Sequence, residues 1–141
     1  MLTSVPVSFI FRIEAEVAPP ISISGAPQGD RMIVPAQAGH FSGPKINGKI
    51  VPGAGVEWAS VRADGIIKAD VRLVLETDDG ASILMTYNGL AKPVDDSLHV
   101  TIAPLFETGA ANYLWLNDIQ AIGFGRPTEK GIGYDIYQLM A

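Results

Sequence analysis

The sequence predicts an all-β protein. Fifteen glycines and ten prolines interrupt the chain at short intervals, and the segments between them are rich in Val, Ile, Thr and aromatic residues, which favour strands. No window of about 11 residues or more repeats its apolar residues with a helical period. The pairs Asp64-Gly65 and Asp79-Gly80 lie between alternating segments, and Asp-Gly is typical of the turns in β-hairpins.

Nine segments are predicted to be strands, namely 5–17, 31–36, 49–51, 56–62, 66–77, 81–88, 99–105, 113–124 and 133–140. Residues 18–55 contain so many glycines and prolines that we expect mainly ordered loops there, with no long strand. These loops would lie at one end of the sheet, where functional sites are often built. The 141 residues contain no linker-like stretch, so we expect a single domain over 1–141.

Composition and charge exclude several classes of protein. A net charge of −5 with no basic run disfavours nucleic-acid binding. No apolar stretch approaches the roughly 18 residues of a membrane span, and the first residues lack the layout of a signal peptide. We therefore expect a cytoplasmic protein with neither nucleic acid nor a membrane as its partner. The chain contains no cysteine, which excludes thiol catalysis and thiolate metal sites.

The register of the two Asp-Gly hairpins predicts a polar cluster. If both loops are two-residue type I′ turns, Glu57 lies opposite Arg72, and Arg72 lies opposite Tyr87. Asp70 and Met85 then share the face of that cluster. Two interpretations stay open: a solvated face with weak ion pairs, or the interior of a barrel in which the cluster forms a desolvated site.

The mean hydropathy of +0.24 is high for a monomer with a fully solvated surface. In the second interpretation, an apolar row on the opposite face would also need cover, namely Ile67, Val71, Leu73, Leu75 and Leu84. We therefore expect a homo-oligomer, a dimer or a trimer.

Several motifs resemble one family over nearly the whole chain. They are Gly39-His40-Phe41-Ser42-Gly43-Pro44, Gly55-Val56-Glu57-Trp58, Ala69-Asp70-Val71-Arg72 and Tyr113-Leu114-Trp115-Leu116-Asn117. In this order they resemble the family known as domain of unknown function 3237. In that family's pattern, His40 stands where a second glycine is usual, and Glu57 replaces a shorter acid.

The resemblance implies a closed antiparallel β-barrel of the calycin-like, allene oxide cyclase-like type. Barrels of this type commonly form oligomers and act on apolar or phenolic small molecules without a cofactor. We therefore expect a small-molecule ligand and no cofactor. The chain also lacks a dinucleotide-binding or phosphate-binding glycine motif. Its two histidines, His40 and His99, have no partner at a metal-ligand spacing, so no metal site is predicted.

The candidate catalytic residues are Glu57, Arg72, Tyr87 and His40. Glu57 would move a proton, Arg72 would stabilise developing negative charge, and Tyr87 or His40 would orient the substrate. Tyr113, Trp115 and Asn117 alternate onto one face of a predicted strand, either as barrel packing or as a wall for a flat ligand. The candidate substrate-binding residues are Trp58, Asp70, Phe41, Met85, Tyr113, Trp115 and Asn117.

Two classes of function follow. The first is a cofactor-independent enzyme of the isomerase, cyclase, hydratase or lyase type, which acts on an apolar or phenolic molecule by acid–base chemistry. The second is a binding or carrier protein for a small hydrophobic ligand, in which the same side chains only orient that ligand.

Overall fold

The structure, a computed structural model, describes residues 1–140 and confirms the all-β prediction, since 62% of the chain is strand and 6% is helix. A single 3-10 helix, Ala111–Asp118, lies between the ninth and tenth strands of the described part. The strands are β1 (Val7–Val17), β2 (Ile21–Ile23), β3 (Asp30–Ser42), β4 (Asn47–Ile50), β5 (Gly55–Val61), β6 (Ile67–Thr77), β7 (Ser82–Val94), β8 (Ser97–Ile102), β9 (Leu105–Glu107), β10 (Ala121–Pro127) and β11 (Gly131–Leu139).

Eight strands form a ring of antiparallel pairs. The order is β6, β5, β3, β1, β11, β10, β8 and β7, and β7 pairs again with β6. The short strand β2 pairs with β3, β4 pairs with both β3 and β6, and β9 pairs with β7. Ring closure satisfies the backbone groups that an open sheet would leave unpaired at its two edges.

The two Asp-Gly hairpins have three-residue loops, so the prediction of two-residue loops is wrong. The Arg62 amide donates to the Ile66 carbonyl at 2.9 Å, and the Thr77 amide donates to the Ala81 carbonyl at 2.9 Å. Each loop ends on a glycine with positive φ, +85° at Gly65 and +89° at Gly80. A type I turn followed by a left-handed glycine is the usual three-residue hairpin, and it uses the same Asp-Gly pair.

The extra loop residue shifts the pairing of both hairpins by one position. Glu57 lies opposite Val71, and Val71 lies opposite Tyr87. Because side chains alternate between the two faces of a strand, a shift of one residue moves a whole strand's side chains to the other face. The apolar residues of β6 therefore face the interior, and its charged residues face outward.

Large side chains fill one half of the interior, which we call the packed half. Phe11 packs against Phe41 and Phe106 with ring centroids 5.2 Å and 5.9 Å apart. The 3-10 helix adds Leu116, which is fully buried in this core. Further along β1, the inward residue is the much smaller Ala15, and side chains no longer fill the interior.

Two further sequence predictions are wrong. Residues 18–55 contain the thirteen-residue strand β3, because only Pro35 and Gly39 of their glycines and prolines lie within it and most of the others lie in the connections between strands. At Gly39, for example, φ is +155° and a Cβ atom would meet the Glu14 carbonyl. The predicted strand 113–124 is helical up to Asp118 and becomes strand only from Ala121.

Candidate functional site

An interior cavity of about 140 Å³ lies beyond the packed half. It exists because the side chains that face it are mostly short, so opposite walls of the ring do not meet. Strands β1, β3, β5, β6, β7 and β11 all contribute to its walls. The lining residues are Ala15, Val17, Val34, Ala36, Glu57, Val71, Leu73, Tyr87, Gly131, Ile132 and Tyr134.

Glu57 carries the only charge among these lining residues. It lies on β5 between the inward-facing Gly55 and Ala59, and its strand partners are Val34 on β3 and Val71 on β6. Neither neighbour can pair with a carboxylate. Loss of water contact raises the pKa of the Glu57 carboxyl, and no cation or hydrogen bond opposes that effect. The group therefore holds its proton to a higher pH than an exposed glutamate.

Tyr87 and Tyr134 form an aromatic corner of the cavity. Their ring centroids are 5.7 Å apart and the planes meet at 66°, an edge-to-face arrangement that aromatic pairs favour. Burial is the main cause that raises the pKa of both phenols, and the nearby Glu57 raises the pKa of each further. Both hydroxyl groups therefore stay protonated at neutral pH and can donate hydrogen bonds.

Gly125 makes room for the Tyr134 ring. The two residues are paired across β10 and β11, and a Cβ atom at position 125 would overlap the ring carbons of Tyr134. Gly123 does the same for the side chains of Ile136 and Ile102. The alternating glycines of β10 thus allow the large inward residues of β11 to lie flat against the sheet.

This arrangement is suited to proton transfer. A carboxyl group with a raised pKa is a better proton donor above the usual glutamate range, and once ionised it can take a proton back. The phenols of Tyr87 and Tyr134 can orient a polar group of the ligand, and the aliphatic walls can bind its apolar part. The lining residues include no lysine, arginine or histidine that would stabilise an oxyanion.

The predicted cluster of Glu57, Arg72 and Tyr87 does not form. Glu57 and Tyr87 line the cavity, but Arg72 and Asp70 are exposed on the outer face of β6. The cause is the one-residue shift produced by the three-residue loops. Arg72 lies opposite Val56 and Thr86, not opposite Glu57 and Tyr87.

His40 is also outside the cavity. It is exposed on β3, and its Nε2 atom lies 3.9 Å from a carboxylate oxygen of Glu14. Both residues border a separate surface depression together with Lys130. Trp58 points outward from β5, is 57% exposed and lies opposite Ile33. Neither side chain can reach a ligand bound beside Glu57 in this arrangement.

The remaining candidate binding residues have structural surroundings. Phe41 and Met85 are buried in the packed half. The Tyr113 hydroxyl donates to the Asp79 carboxylate at 2.9 Å. The Asn117 side chain accepts from the Thr108 amide at 2.8 Å and donates to the Thr108 carbonyl at 2.9 Å.

Trp115 lies with its ring centre 5.7 Å from the Lys45 ammonium, next to a small groove on the outside of the packed half. The predicted strand face of Tyr113, Trp115 and Asn117 is wrong, because these residues belong to the 3-10 helix.

Tyr134 is a site residue that was not predicted from the sequence. It lies far along the chain from Glu57, and only the ring of strands brings the two together. The sequence does contain a sign of its inward position. Ile132, Tyr134 and Ile136 alternate along β11, and Tyr134 and Ile136 lie opposite Gly125 and Gly123. Glycines at every second position of the adjacent strand indicate that neighbouring side chains need the space.

The ring of antiparallel strands and its interior cavity define the class: this is an all-β, barrel-like protein. A family model described as "Protein of unknown function (DUF3237)" matches residues 5–139. The chain belongs to this family, which confirms the resemblance found in the sequence.

Two relatives illustrate the range of the similarity. A UPF0311 protein of Rhodopseudomonas palustris (strain TIE-1) is 27% identical over 154 residues, covering 99% of this chain and 100% of that protein. The hydroalkoxylation enzyme phnH of Penicillium herquei is 35% identical over 85 residues, covering 60% of this chain and 50% of the enzyme.

Two solved structures share the fold over 99% of this chain. A protein of Acinetobacter baumannii described as "beta-barrel like" has a TM-score of 0.85 and 29% identity, with 99% of it covered. An enzyme from Penicillium herquei has a TM-score of 0.77 and 25% identity, with 97% of it covered. The fold therefore includes at least one protein described as an enzyme.

Proposed function

We propose that the chain is a cofactor-independent acid–base enzyme, in which Glu57 moves a proton inside an apolar cavity. The observation that carries the proposal is the position of Glu57, the one ionisable carboxyl among aliphatic lining residues. Carboxyl groups are costly to bury without a partner, and such positions are common at catalytic sites because a raised pKa suits proton transfer near neutral pH.

The reaction class that fits best is the addition of a hydroxyl group across a carbon–carbon double bond within one molecule. The Penicillium herquei relative is described as a hydroalkoxylation enzyme, which supports this class. Such a ring closure needs one proton donor and one proton acceptor, and no electrons are exchanged with a cofactor. The product is an isomer of the substrate.

The proton balance can be met by Glu57 itself. Its carboxylic acid gives a proton to one alkene carbon, and the electron pair of the double bond forms the new C–H bond. The substrate hydroxyl oxygen bonds to the other alkene carbon and loses its proton to the Glu57 carboxylate, which restores the acid. The Tyr87 and Tyr134 hydroxyls orient the substrate oxygen toward the alkene carbon that it attacks, and this orientation contributes to the rate.

A direct test uses an ortho-prenylated phenol as the probe substrate. We expect its cyclic ether isomer to form in deuterium oxide with one deuterium on carbon, detected by chromatography and mass spectrometry. Glu57→Gln should reduce the rate by about two orders of magnitude or more, the usual contribution of a general acid. Glu107→Gln is the matched control, because Glu107 is exposed on β9. Equal rates in all three proteins would refute the role of Glu57.

The second candidate is a carrier for a small hydrophobic ligand, which the mainly aliphatic lining of the cavity favours. In that case the prenylated phenol binds without turnover, and Glu57→Gln changes its affinity but has no reaction to abolish. Binding measured by calorimetry beside the turnover assay separates the two candidates.

A further inference from the structure

We infer that the cavity selects its ligands by charge: it takes organic cations and neutral molecules and excludes carboxylates and other anions. This selectivity rests on the site of the proposed function but concerns binding rather than turnover. The ligand class singled out is the quaternary ammonium, in which a positive charge is spread over methyl groups that also suit an apolar wall.

Glu57 has no counter-charge among the residues that line the cavity. Each wall facing Glu57 is free of cations: β3 contributes Val34 and Ala36, and β6 contributes Val71 and Leu73. The walls of β1 and the β11 segment before Tyr134 are likewise uncharged. An ionised carboxylate there lacks the partner that buried charges normally have. A bound cation supplies that partner, whereas a bound anion adds repulsion in the same desolvated space.

The aromatic corner also favours a cation. Tyr87 and Tyr134 both line the cavity, and their ring planes meet at 66°. Aromatic rings attract cations through their electron-rich faces, and cages that combine several rings bind quaternary ammonium groups. Here the corner and the carboxylate line the same cavity, and both favour positive charge.

Selectivity for cations also fits the proposed chemistry. Protonation of an alkene by Glu57 creates positive charge on carbon and leaves a carboxylate beside it. A site that favours a stable cation would also stabilise that developing charge, because interactions aimed at transition-state charge act most strongly in a desolvated site. A quaternary ammonium is thus a stable mimic of the charged species.

The test compares three probes of nearly equal size that share a trimethyl head. They are choline, neohexanol, in which carbon replaces the choline nitrogen, and the carboxylate of tert-butylacetic acid. Binding to the full chain is measured by calorimetry and by saturation-transfer NMR at pH 8. We expect choline to bind about tenfold tighter than neohexanol, a difference within the range of one desolvated cation–π and ion-pair contact. The carboxylate should give no measurable binding.

The variants test where the selectivity comes from. Glu57→Gln keeps the shape of the side chain and should reduce the choline preference to less than about threefold, whereas the control Glu107→Gln should preserve it. Tyr134→Phe keeps the ring and should retain most of the preference, and circular dichroism checks the fold of each variant. In the parent, the preference should grow as the pH rises and Glu57 ionises, because Tyr87 and Tyr134, the other titratable lining residues, stay neutral.

Equal binding of choline and neohexanol by the parent would overturn the inference, as would tight binding of the carboxylate or a preference that survives Glu57→Gln. The turnover assay is independent of this outcome. Glu57-dependent cyclisation without charge preference would refute the inference and leave the proposed function intact. Charge preference without cyclisation would support the inference and refute the proposed function.

Discussion

Replacement of Glu57 by methionine should make the protein more stable at pH 8. Methionine has nearly the same length and no polar head, so it can occupy the same space beside Val34 and Val71. The replacement removes a carboxyl group that is placed among aliphatic side chains. A residue kept for function at the expense of stability is expected to behave in this way.

The magnitude follows from the surroundings of the carboxyl group. Burial of a polar group without a compensating partner costs about 1–3 kcal/mol. Because Glu57 is only partly buried, water still reaches part of the group, and we expect a gain of about 1–2 kcal/mol for Glu57→Met. For a chain of this size, the melting temperature should rise by roughly 4 °C per kcal/mol.

The gain should depend on pH. The folded state raises the pKa of Glu57 above its value in the unfolded chain. Below the unfolded pKa, both states hold the proton and ionisation contributes nothing to the difference. As the pH rises through the folded pKa, the unfolded state is already ionised, and the parent loses stability that the methionine variant keeps. The gain should therefore be larger at pH 8 than at pH 4.

Chemical denaturation at both pH values measures the effect, with Glu107→Met as the exposed control. A Glu57→Met variant that is destabilised by more than about 1 kcal/mol at pH 8 would show that the carboxyl has a stabilising partner. A gain that does not depend on pH would refute the assigned pKa direction.

Three more predictions concern the surface, the aromatic corner and the assembly. Arg72→Ala should change the free energy of unfolding by well under about 1 kcal/mol, because Arg72 is exposed; a loss of several kcal/mol would contradict the register. Gly125→Ala should cost about 1–3 kcal/mol by overpacking against Tyr134 and should weaken choline binding, unlike the control Gly109→Ala, where the space is open. We still expect a dimer or trimer, because Trp58 and other large apolar residues are exposed; a monomeric mass by light scattering at micromolar concentration would contradict this.

The class of fold could be predicted because it depends on short-range signals. Glycine and proline spacing marks where strands end, and the Asp-Gly pairs mark hairpins whether the loop has two or three residues. The family motifs point to the same fold. None of these signals depends on the exact pairing of one strand with the next.

The pairing was not predicted correctly because the Asp-Gly pair fits two loop lengths. The choice between them could have been made from side-chain polarity. On β6, Val71, Leu73 and Leu75 alternate with charged or more exposed residues, and on β7 Met85 and Tyr87 alternate with residues of the outer face. Only the three-residue loops place both apolar sets on the same side of the sheet.

The loop length also removes one of the grounds on which the sequence predicted an oligomer. The two-residue register turns Val71, Leu73 and Leu75 outward as a row that needs cover, but these residues are in the core. The site was half predicted for a similar reason. Glu57 and Tyr87 share one face of the sheet in either register, whereas Arg72 changes face. Tyr134 comes from a strand that is far from Glu57 along the chain, so the sequence gives no sign that the two are close.

The unequal filling of the interior has a consequence for motion. Amide groups around Phe11 and Ile136 are covered by fully buried side chains, so their hydrogen exchange should require unfolding of the whole molecule. Around the cavity, strand ends such as Gly131 and Val17 rest on few large side chains and can separate briefly while the rest of the ring stays closed. Local motion at that end can therefore vary between relatives without disturbing the packed half.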